Sequence, residues 1–192
     1  MTAGAPYIDA RAIVDTPRVG PGTRIWEFVH VLEGATIGCD CNINSHVFVE
    51  NDVVIGDRVT VKCGVSLYDG IVLEDDVFVG PDVSFPNDAR PRSGRRPETF
   101  PRTRIRTGAS LGAGSIVLPG VSVGCWAMIG AGALVTRHVP DFALAYGSPA
   151  RVHGQVCRCG ESLRFNDRKA ACACGRRYEM PPDGSIIESP AA

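Results

Sequence analysis

Residues 37–55 read Ile37-Gly38-Cys39-Asp40-Cys41-Asn42-Ile43-Asn44-Ser45-His46-Val47-Phe48-Val49-Glu50-Asn51-Asp52-Val53-Val54-Ile55. Ile37, Ile43, Val49 and Ile55 stand six apart, and the same frame runs without a miss from Val19 to Phe85. It returns from Ile105 to Val135, again unbroken, while Ile8 and Val14 form an earlier pair one residue out of frame. Four places further on, each hexad holds a small or β-branched residue, as at Ala35, Cys41, Val47, Val53 and Ala127. A period of six fits neither a 3.6-residue helix nor a simple alternating strand. It fits a short strand and a corner, repeated, with positions i and i+4 pointing inward. Three such sides close a triangular coil of about 18 residues, bonded to the coils above and below at about 4.8 Å. The expected fold is all-β, a parallel β-helix.

Composition agrees. The 192 residues include 22 Val and 12 Ile beside 22 Gly and 14 Pro, the mixture that many short strands joined by tight turns require. A formal net charge of −1 excludes a general nucleic-acid or membrane-surface binder. No stretch approaches the roughly 20 apolar residues of a membrane span. Met1-Thr2-Ala3-Gly4-Ala5-Pro6 has no basic region leading into an apolar core, so no signal peptide is expected and the cytoplasm is the default.

The repeat breaks twice. Twenty residues separate Phe85 from Ile105, which is not a multiple of six, so a loop over 86–104 is extruded. It holds six Arg and four Pro against two acids, Asp88 and Glu98, a stiff cationic insertion that would attract phosphates or a CoA tail, or else a solvated surface loop. The second break follows Val135, where a stretch from Pro140 to Arg151 closes the coil. Residues 1–151 are therefore expected to form the solenoid, and 152–192 a small Cys-rich tail. There Cys157-Arg158-Cys159-Gly160 and Cys172-Ala173-Cys174-Gly175 set two thiol pairs on short turns. Four such thiolates suit a structural zinc. Each pair is C-x-C where zinc ribbons usually have C-x-x-C. Disulfides are the alternative, disfavoured in a reducing compartment. Cys39, Cys41, Cys63 and Cys125 fall at i+2 or i+4 and read as wall or corner residues.

Asn51, Asp69 and Asn87 are 18 apart, one coil each, and so stack as a polar column on one edge of the prism. His46 lies on the next edge, far from Asn87 within one chain. His30 faces outward and reads as an interface residue.

The hexad pattern over about residues 8–150 resembles the hexapeptide-repeat acyltransferases, which implies a left-handed helix. The run Asn44-Ser45-His46-Val47-Phe48-Val49-Glu50-Asn51-Asp52-Val53, then Tyr68-Asp69-Gly70, Pro86-Asn87-Asp88 and Pro91-Arg92-Ser93, is similar to N-acetyltransferases of nucleotide-linked 3-amino deoxysugars. Tyr68 stands where that group tends to have Trp, and Pro86 where it has Thr. The resemblance implies acetyl-CoA as co-substrate, a nucleotide sugar as acceptor and a homotrimer with its sites between neighbouring solenoids. It places Asn87 on the amine and His46 as an orienting group or base. Asn51, Tyr68, Asp69, Asp88 and Arg92 would contact the acceptor. CoA would lie along Gly112, Ala113, Gly130, Ala131, Gly147 and Arg151, although small corner residues are equally what tight coils need. An O-acetyltransferase of the same fold and a non-catalytic binding solenoid are the alternatives. A three-histidine zinc lyase is disfavoured, because only His30 and His46 lie inside the repeat.

Overall fold

The computed structural model describes residues 4–95 and 97–189. Met1–Ala3, which enter the leader reading, Arg96 of the loop and residues 190–192 lie outside it. The chain winds into a three-walled prism of two- and three-residue strands.

Wall one stacks Tyr7–Ile8, Arg24–Ile25, Asn42–Ile43, Thr60–Val61, Phe78–Val79, Ser110–Leu111 and Met128–Ile129 in parallel. Wall two stacks Ile13–Val14, His30–Val31, Phe48–Val49 and Ser66–Leu67, continues through Ser84, and ends with Ile116–Val117 and Leu134–Val135. Wall three holds Thr36–Ile37, Val54–Ile55, Ile71–Leu73, Thr103–Ile105 and Ser122–Val123. Backbone N–H groups donate one coil upward, as in Arg24 to Cys41 at 2.8 Å, Asn42 to Val59 at 2.8 Å and Thr60 to Val77 at 2.9 Å. The ladder therefore runs along the prism axis, and strands in the middle of each wall are paired on both sides.

Positions i and i+4 fill the tube. Ile25, Val31, Ile43, Val49, Val61, Val65, Leu67 and Leu111 are all completely buried. The one-residue offset of Ile8 and Val14 has a structural counterpart. They pair with Ile25 and Val31, so the first coil is one residue short. Ile8 also lies at the open lower end and stays exposed. The loop rejoins sooner than the spacing suggests. Thr103 is already in wall three, opposite Ile71 and buried, and its Oγ1 accepts from the Gly120 N–H at 3.0 Å. Residues 103 and 104 are thus wall, and the insertion ends before them.

Corners follow a rule. Their third residue in two of the three edges adopts φ near +60°, filled by Gly64, Gly114 and Gly132 and by Asp40, Asp76 and Asp82. Phe28, His46, Trp126 and Phe142 occupy the same left-handed position, where a bulky side chain is unusual. Each of the four packs against another ring or a guanidinium. Acidic corner residues bind the coil below. Asp57 accepts from the Cys39 N–H at 2.7 Å, Asp75 from Asp57 at 2.9 Å and Asp141 from Cys125 at 2.8 Å. Cys39 and Cys125 are corner residues accordingly, while Cys41 is buried, with its Sγ 3.0 Å from the Gly56 carbonyl.

Past Ile129, wall one gains Ala143–Gly147 in parallel, then Ala150–Val156 and Ser162–Leu163 antiparallel. The expected junction after residue 151 falls inside the strand Ala150–Val156. Lys169–Ala171, Arg177–Glu179 and Ile187–Ser189 form a separate three-stranded sheet.

Candidate active site

The edge after wall two carries Asn51, Asp69 and Asn87. Two of the three are committed to the coil. Asn51 Oδ1 accepts from the Gly34 N–H at 3.0 Å, and Asp69 Oδ1 from Asp52 at 2.7 Å. Asp69 is held further by its own N–H, which donates to Glu50 Oε2 at 2.8 Å. Asn87 makes only a long bond, Nδ2 to the Asp69 carbonyl at 3.4 Å. It sits where the wall ends and the loop begins, half-buried, with its amide oxygen unengaged among the described residues. Tyr68 precedes Asp69 on the same edge and packs edge-on to Phe48, 6.3 Å between centroids.

The loop starts as a turn, with Asp88 Oδ1 accepting from the Arg90 N–H at 2.7 Å. Near its end Arg102 reaches Asp52 at 3.0 Å, and Arg104, already in wall three, reaches Glu74 at 3.3 Å. Arg92 bonds only the neighbouring Pro91 carbonyl, at 2.9 Å. Among the described residues, Arg90, Arg92 and Arg95 have no carboxylate within 4.0 Å. Positive charge without an internal partner thus gathers on the segment that follows Asn87, where guanidinium groups are available to an anion.

His46 lies on the edge after wall one, exposed, its ring stacked on Phe28 at 5.1 Å and 20°. Arg11 lies 5.3 Å over Phe28, and Ser45 donates to Glu27 Oε1 at 2.8 Å beside it. His46 and Asn87 are not brought together in one chain, as the spacing implies. His30 stands on the outer face of wall two, 3.6 Å from Asp15 and edge-on to Phe48.

Gly112, Ala113, Gly130 and Ala131 share the His46 edge, higher up. Gly112 is also a packing necessity, since a Cβ there would lie 2.5 Å from the Ala131 nitrogen. Gly147 and Arg151 belong to the hairpin that closes wall one, Gly147 opposite Ala150. Arg137 and Arg151 line one cleft with His138 and Val152. Spacing arguments missed Tyr146 and His153, whose rings stack at 3.8 Å and 13° on that hairpin, with Tyr146 Cβ directly over Gly130. Neither lies in the hexad frame, so no periodicity could mark them.

The tail cysteines converge. Cys157, Cys159, Cys172 and Cys174 place all four Sγ atoms within 4.8 Å of one another. Cys157–Cys174 and Cys159–Cys172 are each 3.5 Å apart. A tetrahedral zinc with bonds of about 2.3 Å needs sulfurs about 3.8 Å apart, so the set fits one ion. Each pair sits on a tight turn, closed by Gly160 N–H to the Cys157 carbonyl at 2.8 Å and Gly175 to Cys172 at 2.9 Å. The Arg176 N–H, then its guanidinium, bring the Cys174 thiol down to about 6. Among the described residues of one chain no three histidines meet.

The site thus combines a six-residue solenoid, a polar edge column, a cationic insertion and an edge of small residues. No family model matches the chain. It is 53% identical over 182 residues to the dTDP-3-amino-3,6-dideoxy-alpha-D-galactopyranose 3-N-acetyltransferase of Aneurinibacillus thermoaerophilus, covering 95% of this chain and 94% of that one. A Bacillus cereus crystal structure assigned as an acetyltransferase superposes with a TM-score of 0.53 at 26% identity, covering 82% and 81% of the two chains. The polysialic-acid-specific acetyltransferase NeuO shares the fold, with a TM-score of 0.56 at 18% identity over 85% and 78%. The chain belongs to the hexapeptide-repeat, left-handed β-helix acetyltransferases.

Proposed function

We propose that this enzyme transfers the acetyl group of acetyl-CoA to the amine of a nucleotide-linked 3-amino deoxyhexose. The observation that carries the reading is 53% identity over nearly the whole chain to an enzyme of that activity. The free amide of Asn87 beside unpaired arginines supports it.

A neutral sugar amine attacks the thioester carbonyl. A C–N bond forms, the carbon becomes tetrahedral with its oxygen anionic, and collapse expels the CoA thiolate while the amine loses a proton. Both partners are reactive, so alignment supplies much of the rate. Asn87 Oδ1 would accept from the amine and aim its lone pair, while Arg92 and its neighbours hold the diphosphate. A backbone N–H on the small-residue edge would receive the oxyanion. His46 would orient the amine or take its proton. Since it occupies a different edge from Asn87, this requires a neighbouring solenoid, and the reading includes a homotrimer sedimenting at three times the 20.4 kDa chain. It also places the enzyme in the cytoplasm, and a structural zinc on Cys157, Cys159, Cys172 and Cys174, without part in the chemistry.

The test is thiol release from acetyl-CoA with dTDP-, UDP- and GDP-linked amino sugars. Turnover with a 3-amino sugar is expected. Absence of both turnover and CoA binding would leave a binding solenoid, and transfer only to hydroxyl acceptors would leave the O-acetyltransferase. For His46→Ala we expect kcat to fall several-fold while acetyl-CoA affinity changes less. Unchanged kcat would reduce His46 to a corner residue.

A further inference from the structure

The solenoid must end somewhere, and an open coil leaves its last ladder groups unpaired. Wall one solves this with the strands Ala143–Gly147, Ala150–Val156 and Ser162–Leu163. The first cysteine turn joins the last two of these. The second cysteine turn joins Lys169–Ala171 to Arg177–Glu179, in the other sheet. No strand pairing connects the two sheets among the described residues. The short sulfur contacts, Cys157 to Cys174 and Cys159 to Cys172, both run between the turns and so between the sheets.

Apolar packing alone holds the junction weakly. Its buried set is Phe142, Cys157, Leu163, Ala170, Cys172 and Tyr178, of which two are cysteines of the cluster. So small a core needs a staple. The groups around it meet the solenoid at two bulky corner residues. Arg158, between the first two cysteines, lies 4.0 Å over the Trp126 ring, and Trp126 lies flat over Gly108. Tyr178 packs edge-on to Phe142 at 5.5 Å, receives the Arg158 N–H at 3.2 Å and stands 3.1 Å from Cys157 Sγ. Glu188 ties the turns from outside, 3.2 Å from Arg158 and 3.3 Å from Arg176. Four thiolates around a divalent ion carry net negative charge, and the Arg176 guanidinium donates to Cys174 Sγ at 3.4 Å.

We infer that a zinc ion on these thiols is the clasp that holds the tail sheet against the last coils and keeps Trp126 covered by Arg158. This rests on the zinc reading above and adds to it what the ion does. The test uses full-length Trp26→Phe protein, in which Trp126 is the one remaining indole of two. Purified under reductant, it is expected to carry one zinc per chain. Chelation should shift the indole emission to the red and raise acrylamide quenching several-fold, and zinc alone should reverse both. Adding Cys172→Ser and Cys174→Ser to that protein should reproduce the stripped state. Bound zinc whose removal leaves the emission and quenching unchanged would overturn the clasp and leave the zinc site standing. No retained metal, or only four of the eight thiols titrating after unfolding in chelator without reductant, would overturn both.

Discussion

Asn87→Ala lowers kcat/KM at least about tenfold, roughly 1.4 kcal/mol of transition-state stabilisation, with little change in thermal stability. The two halves of this expectation have one origin. Asn51 and Asp69 each spend a side-chain oxygen on the coil below, so replacing them would disturb the edge as well as the acceptor. Asn87 gives the fold one hydrogen bond of 3.4 Å, near the limit at which such a contact counts. Its side chain is free to do chemistry, and the loss should appear in the rate. Kinetics with the 3-amino nucleotide sugar, beside a melting curve, decide it. A loss below about threefold, or a large fall in melting temperature, would make Asn87 structural.

The second large effect is on stability. Leu67→Ala is expected to cost about 2–5 kcal/mol, a substantial share of the 5–15 kcal/mol that holds a typical domain together. Leu67 is completely buried in the tube and is flanked along wall two by Val49 below and Ser84–Phe85 above. The cavity left behind cannot collapse easily. The walls around it are fixed by axial hydrogen bonds such as Phe48 N–H to Val65 at 3.0 Å and Glu50 to Leu67 at 2.9 Å. Urea denaturation of the two proteins side by side measures the difference, and a midpoint shift worth under about 1 kcal/mol would mean that the interior is looser than its burial implies.

The fold was legible because the hexad is a direct image of the geometry: Ile43, Val49 and Ile55 stand on three successive walls of the prism, and each is buried. The edge column was legible for the same reason, since 18-residue spacing from Asn51 to Asn87 translates into stacking. What spacing cannot reveal is how a side chain divides its hydrogen bonds. Asn51, Asp69 and Asn87 look alike in sequence, yet only Asn87 is uncommitted. The small residues of the edge proposed for CoA are ambiguous in sequence and remain so in space, since Gly112 is required by Ala131 whether or not CoA lies there. Contacts outside the repeat, Tyr146 with His153 and Arg158 with Trp126, join residues whose separation follows no period.

The insertion leaves wall two after Ser84, which bridges Ser66 below and Ile116 above, and re-enters wall three at Thr103 opposite Ile71. Both its roots are therefore pinned by ladders that do not depend on what lies between them. An exchange of the whole segment for one of another length would leave every coil in register, and with it the ridge after wall one where the thioester is expected to rest. Divergence within this fold can thus remodel the segment that follows Asn87 while the coils on either side are inherited unchanged.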